Sequence, residues 1–153
     1  MLSTLVSEAP QPSKRKRFIP KSLISPNSDL QASSMEICCL IIENNFLIGL
    51  DLRELLHALG FGHVDHAQDE NGLTALLQSG KYDLAFIDYD QGEDFAQRMA
   101  SQMRLQGADI IFTSTLLDQT ELPMTLGECK LLSKPYGENA LKDVLGLIQK
   151  PKI

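Results

Sequence analysis

The sequence predicts one α/β domain built on a doubly wound parallel sheet of five strands. Short apolar runs bounded by turn residues alternate along the chain with longer segments of helical periodicity, which is the pattern of such a sheet. The runs are continuous rather than alternating, as expected for strands that are buried on both faces. With 153 residues, the chain is long enough to form one full core.

The first half of the predicted domain contains two strands and two helices. The apolar run at 38–42 is followed by leucines at near-helical spacing, which predict a helix closed by Gly60. A second, short strand is predicted at 62–66. The next helix is expected to open at 71–72 and to stop at Gly80.

The second half continues the alternation. Three further strands are predicted there, at 84–88, 110–112 and 131–133. Three helices are predicted at 93–105, 116–126 and 137–149. The helix at 116–126 is the weakest of them, because Pro123 interrupts its pattern.

Polar side chains stand at the carboxyl ends of four predicted strands. Glu43 and Asn44 follow the first strand, Asp88 ends the third, Ser114 follows the fourth and Lys134 follows the fifth. The carboxyl ends of parallel strands lie at one edge of a sheet, where open α/β folds place their functional groups. We therefore expect these side chains to gather around Asp88.

This order of residues resembles the receiver domain of bacterial two-component response regulators. The resemblance covers about residues 36–150, and the stretch at 42–52 is especially similar to stand-alone receivers common in alphaproteobacteria. It implies the flavodoxin-like strand order 2-1-3-4-5. It also divides the chain into a disordered basic N-terminal tail at 1–35 and a receiver domain at 36–150.

The resemblance implies a phosphoryl-acceptor site. Asp88 would accept a phosphoryl group from a histidine kinase or a phosphotransfer protein. Ser114 would contact the transferred group, and Lys134 would pair first with Asp88 and then with the phosphoryl group. Enzymatic activity would at most be self-phosphotransfer and autodephosphorylation at Asp88, with no separate catalytic output domain.

The resemblance also implies a Mg²⁺ site formed by Glu43, Asn44 and Asp88, to which Asp90 could lend a further carboxylate. In the family the second acid of this corner is usually an aspartate. Asn44 supplies an oxygen but no charge, so magnesium binding is expected to be weakened. The position of the family's aromatic switch is Leu131, so a Tyr or Phe rotamer cannot couple the site to its output surface.

Three functional hypotheses follow. The first is a single-domain response regulator that signals by binding a downstream protein through the 4-5 face, meaning the surface formed by the strands at 110–112 and 131–133 with their flanking segments. Homodimerisation through that face is compatible with it. The second is a phosphorylation-independent pseudo-receiver that acts as a protein-interaction module. The third is an unrelated flavodoxin-like enzyme that uses Asp88 as an acid or base and binds a small molecule.

Composition and charge exclude several other classes. Residues 1–35 hold five basic and two acidic residues, whereas residues 36–153 hold nine basic and eighteen acidic ones, which disfavours nucleic-acid binding by the folded part. The basic cluster at 14–17 is expected to be a solvated tail, and binding to an anionic partner is the alternative. Three cysteines without a disulfide pattern, and no apolar run near ~18 residues, indicate a cytoplasmic protein that does not span a membrane. The sequence has no G-x-S-x-G motif, which disfavours a Ser/His/Asp hydrolase, and no glycine-rich loop after the first strand, which disfavours a dinucleotide-binding or P-loop enzyme.

Overall fold

The computed structural model describes residues 37–127 and 129–146. Its centre is a five-stranded sheet in the order β2-β1-β3-β4-β5, and every neighbouring pair is parallel. The predicted fold class and strand order are therefore confirmed. The strands are β1 (Cys38–Ile42), β2 (His63–Ala67), β3 (Leu84–Asp88), β4 (Asp109–Ser114) and β5 (Lys130–Ser133).

Four α-helices and three 3-10 turns connect these strands in the described residues. The helices are α1 (Phe46–Ala58), α2 (Glu70–Ser79), α3 (Glu93–Leu105) and α4 (Glu138–Val144). The 3-10 turns are Tyr89–Gln91, Gln119–Glu121 and Met124–Leu126. Helix α3 has the predicted bounds. None of the helices in this part of the chain is long and apolar enough to cross a bilayer.

The helix predicted at 116–126 is wrong, because the structure forms two separate 3-10 turns there. Pro123 lacks an N–H and cannot continue a helical hydrogen-bond ladder. The first turn is closed by a capping box, in which the Asp118 side chain accepts from the Thr120 N–H and the Glu121 side chain accepts from the Asp118 N–H. Local polar bonds thus replace a helix between β4 and β5.

Other boundaries also differ from the prediction. Helix α2 begins at Glu70 rather than at 71–72, because Asp69 caps it by accepting a 2.7 Å hydrogen bond from the Gly72 N–H. Strand β2 begins one residue later than predicted. Part of the predicted last helix (147–149), the ends of the predicted receiver domain and the predicted tail at 1–35 lie outside the described residues.

Each face of the sheet has its own apolar core. Helices α2 and α3 pack on one face, where Met103 and Phe112 are fully buried. Helices α1 and α4 pack on the other face, where Leu56, Phe86 and Leu141 are buried. All five residues of β3 are buried, as expected for a central strand covered on both sides. The two cores pack the sheet from both sides and so position its carboxyl edge.

Helix α1 begins directly at that edge. Asn45 is its N-cap and its Oδ1 accepts from the backbone N–H groups of Leu47 and Ile48. Gly49 allows the helix to approach the His66 ring, which a side chain at that position would overlap. The start of α1 therefore holds the end of β1 firmly in place.

Candidate functional site

The ends of β1, β3 and β5 bring one lysine between two carboxylates. Lys134 Nζ donates to Glu43 Oε2 at 2.7 Å and to Asp88 Oδ1 at 3.0 Å. The three side chains are nearly fully buried, at 7 % exposed for the lysine and 4 % for each acid. The Lys134 N–H also donates to the Ser114 carbonyl at 2.7 Å, which fixes the end of β5 beside β4.

The electrostatics of this cluster favour a charged lysine. Burial alone would lower the pKa of Lys134, but its hydrogen bonds and its attraction to Glu43 and Asp88 outweigh burial and raise that pKa above its ordinary value. The cluster contains two carboxylates and one ammonium, so its net negative charge favours the binding of a second cation.

Glu43 is anchored on both its backbone and its side chain. Its N–H donates to the Ala67 carbonyl at 3.1 Å, and its carbonyl oxygen lies 2.8 Å from His66 Nε2. Its Oε1 accepts from the Asn45 N–H at 3.0 Å. Only Oε2 is left to face Lys134, so the carboxylate is held in one orientation.

Asp88 has one engaged oxygen and one open one. Oδ1 accepts from Lys134 and from the Asp90 N–H, each at 3.0 Å. Within the described part of the chain, Oδ2 has no hydrogen-bond partner. The residue closes a fully buried strand and starts the 3-10 turn Tyr89–Gln91, so its position is set from both sides.

The Asp90 carboxylate is hydrogen-bonded to the loop that leaves β4. Its Oδ1 accepts from Ser114 Oγ at 2.6 Å. Its Oδ2 accepts from the Thr115 N–H at 2.9 Å and from Thr115 Oγ1 at 2.8 Å, and lies 3.9 Å from Lys134 Nζ. Burial acts to raise the pKa of Asp90, but the hydrogen bonds from Ser114 and Thr115 and the charge of Lys134 hold it below its ordinary value.

The donor set fits magnesium in a limited way. In the part of the chain that the structure describes, no three His, Cys, Asp or Glu residues are placed to hold a metal ion. Glu43 and Asp88 nevertheless provide two neighbouring carboxylates, and Mg²⁺ commonly uses one or two carboxylates, several waters and a phosphate oxygen. Asn44 is exposed next to Glu43, and Asp90 is engaged with the β4 loop.

The structure thus brings together Glu43, Asp88 and Lys134 directly, and links Ser114 to them through Asp90. Two further residues near the site were not predicted from the sequence. One is Thr115, whose place directly after Ser114 at the end of β4 was the available signal. The other is Tyr136, which follows Lys134 by two residues and whose pKa is raised by burial and by the nearby acids, Glu43 foremost.

Comparison with solved structures gives the same fold. A CheY-like response regulator receiver domain from Methylobacillus flagellatus superposes with a TM-score of 0.61 at 21 % identity, covering 73 % of this chain and 98 % of its own. The BeF3-activated conformation of SdrG from Pseudomonas melonis Fr1 superposes with a TM-score of 0.62 at 21 % identity, covering 75 % of this chain and 99 % of its own. A response regulator from Thermotoga maritima gives 0.59 at 19 % identity, covering 73 % and 99 %.

No protein-family model matches the chain, and no curated protein sequence matches it at a significant level. Almost the entire length of each of these neighbours aligns with this chain, so the similarity extends over a whole receiver fold. The chain has the fold of CheY-like response regulator receiver domains, as its sequence predicted. The similarity to alphaproteobacterial stand-alone receivers stays a prediction.

Proposed function

We propose that this protein is a response regulator receiver that accepts a phosphoryl group on Asp88. The donor would be a phosphohistidine on a histidine kinase or phosphotransfer protein, and the product would act by binding a downstream protein. The observation that supports this most is the buried bridge of Lys134 between Glu43 and Asp88 at the carboxyl edge of the sheet. A cation fixed beside an acceptor carboxylate is suited to a reaction in which the negative charge of a phosphoryl group must be stabilised next to that carboxylate.

In the proposed reaction, Asp88 Oδ2 attacks phosphorus in line with the bond to the donor. The new Oδ2–P bond forms as the P–N bond to the donor imidazole breaks, and the imidazole leaves with its electron pair. Lys134 holds Oδ1 and thereby orients the carboxylate, and afterwards it can pair with the phosphoryl oxygens. Ser114 supplies a hydroxyl to the same oxygens once its bond to Asp90 is released.

Magnesium would be held by Glu43 and Asp88, with the amide oxygen of Asn44 as a neutral third donor. When bound, the ion would neutralise charge on the phosphoryl group. Asp90 could add a carboxylate only after leaving Ser114 and Thr115. Because Asn44 adds no charge, we propose that this site binds Mg²⁺ more weakly than a site with an aspartate there.

The proposed output is a partner surface on the 4-5 face, in a cytoplasmic signalling pathway. Ser114 is at the end of β4, and its Oγ accepts from the N–H groups of Leu116 and Leu117, so a change at this hydroxyl would alter the start of the segment that connects β4 to β5. Leu116 and Met124 in that connecting segment are exposed apolar side chains at 74 % and 96 %. They would contribute to binding of the downstream protein or of a second copy of this chain.

The pseudo-receiver remains a second candidate, favoured by a separate observation. Asn44 stands exposed where a metal-binding acid would be, and Asp90 already engages the hydroxyl of Ser114. In that case the protein would bind partners through the same surface without accepting a phosphoryl group.

The test is the intact mass of the protein after incubation with acetyl phosphate and Mg²⁺. The wild-type protein is expected to gain one labile phosphoryl group, and Asp88→Asn to gain none. Asp94→Asn is the matched control, because it removes an exposed carboxylate from the first turn of α3 and should leave the adduct intact. A folded wild-type protein that gains no adduct would favour the pseudo-receiver.

A further inference from the structure

The carboxylate of Asp90 is surrounded by donors. Three hydrogen bonds, one from Ser114 and two from Thr115, end on its two oxygens at 2.6 to 2.9 Å, and Lys134 Nζ is 3.9 Å away. The side chain is 20 % exposed, so these bonds form in a partly desolvated place. The hydrogen-bond donors belong to the end of β4 and the ammonium to the residue after β5, although Asp90 itself lies after β3.

The Ser114 hydroxyl, which donates to Asp90, and the Lys134 ammonium, which lies near it, are the groups that the proposed function assigns to the phosphoryl group. A carboxylate and a phosphoryl group are both anions with oxygens that accept from O–H, N–H and ammonium donors. Asp90 is also fixed beside the acceptor, because its own N–H donates to Asp88 Oδ1 at 3.0 Å. The Ser114 hydroxyl that a phosphoryl group on Asp88 would need is thus already used by a neighbouring anion, which also lies within ion-pair distance of Lys134.

We propose that the Asp90 carboxylate is an internal anion that occupies the oxyanion position beside Asp88, so that phosphorylation must displace it. The proposal rests on the proposed function and adds its regulation. Asp90 holds the β4 loop against the site in the absence of phosphate, and its charge opposes the approach of a phosphoryl donor. When displaced, it swings from Ser114 and Thr115 and frees their donors for the phosphoryl oxygens.

The rate of labelling by acetyl phosphate tests this competition in the full chain. Asp90→Ala should be phosphorylated at least about tenfold faster than the wild type, since ~1.4 kcal/mol of competing charged hydrogen bonding is lost. Asp94→Ala is the matched control, because it removes an exposed carboxylate on α3 and should leave the rate unchanged. An Asp90→Ala rate equal to or below that of the wild type, or a weaker response to Mg²⁺, would overturn the proposal and make Asp90 a metal ligand or a bystander.

A second measurement does not depend on phosphorylation. Hydrogen exchange at the Thr115 amide should be at least about tenfold faster in Asp90→Ala than in the wild type or Asp94→Ala, because its acceptor is gone. Unchanged exchange would overturn the proposal. Far-UV circular dichroism of each variant establishes that the fold is retained.

The two proposals fail separately. If neither the wild type nor Asp90→Ala gains an adduct, the proposed function has failed, and inorganic phosphate becomes the probe of the inference. A phosphate-dependent shift of the Thr115 amide resonance in Asp90→Ala, absent in the wild type, would still support an anion position that Asp90 occupies. The absence of a shift in both proteins would overturn it.

Discussion

At the scale of single residues, the stability of the site depends on the balance of charges that are almost fully buried. Lys134 is 7 % exposed and neutralises one of the two acids that it touches, Glu43 and Asp88. A buried ion cluster gives little net stability by itself, but removing its only cation leaves two uncompensated acids. Replacing one acid by an amide leaves the remaining acid paired. The two kinds of substitution should therefore differ sharply.

We expect Lys134→Met to lower the free energy of unfolding by about 3 kcal/mol or more, because Glu43 and Asp88 lose their counter-ion. Asp88→Asn should change it by less than ~1 kcal/mol, since the amide oxygen still accepts from Lys134 and the Lys134–Glu43 bond remains. Urea denaturation followed by circular dichroism measures both. Equal losses in the two variants would show that the lysine does not balance the acids.

Asn44→Asp tests the proposed Mg²⁺ site at Glu43, Asn44 and Asp88. Restoring a carboxylate beside Glu43 should raise the affinity for Mg²⁺ at least about tenfold, because a charge within ~4 Å of a cation contributes more than ~1.4 kcal/mol at intermediate dielectric. Asn71→Asp is the control, since it adds the same charge at an exposed position on α2. Calorimetric titration with Mg²⁺ measures the change, and an unchanged dissociation constant would place Asn44 outside the metal site.

At the scale of elements, the contact between α1 and β2 positions Glu43. His66 on β2 stacks against Phe46 at a ring separation of 6.4 Å, and its Nε2 lies 2.8 Å from the Glu43 carbonyl. Gly49 lies where the helix passes over the ring. A glycine inside a helix costs stability relative to alanine, so its presence there is explained by the space that His66 needs.

Gly49→Ala should therefore destabilise the wild type by about 1–3 kcal/mol, because the new methyl group displaces the His66 ring. In a His66→Ala background the same substitution should instead stabilise the fold by up to ~1 kcal/mol, the gain in helix propensity. Thermal unfolding of the four proteins measures the reversal of sign. The same sign in both backgrounds would contradict a packing role for Gly49.

Elements also show where sequence reasoning succeeded and where it could not. Strand β3 could be predicted because its apolar run is uninterrupted, and helix α3 because its apolar residues recur at helical spacing throughout. The segment between β4 and β5 was not, since Pro123 interrupts its helical pattern and its two turns are held by a local capping box together with the bond from Gln97 Nε2 to Thr125 Oγ1 at 3.0 Å. The direction of the Asp90 side chain was equally hidden, because it follows from the short turn Tyr89–Gln91 and from donors 24 residues away or more.

At the scale of the whole molecule, two cores and one sheet place every proposed site residue. Each core packs one face of the same strands, which places the carboxyl ends of β1, β3, β4 and β5 side by side at one edge. The order 2-1-3-4-5 puts β3 between the acid of β1 and the hydroxyl of β4, with the lysine of β5 reaching across. Strand order could be predicted from the resemblance, and Glu43, Asp88 and Lys134 came together as a direct consequence of it.

We propose Asp88, and not the neighbouring Asp90, as the phosphoryl acceptor, and chemical marking of the acceptor distinguishes the two. Borohydride reduction of the acetyl phosphate-treated protein, followed by peptide mass analysis, converts an acyl phosphate to homoserine and so marks the residue. We expect homoserine at position 88 alone, with a higher yield at that position in Asp90→Ala. Homoserine at position 90, or none in a folded and Mg²⁺-saturated protein, would show that Asp88 is not the acceptor.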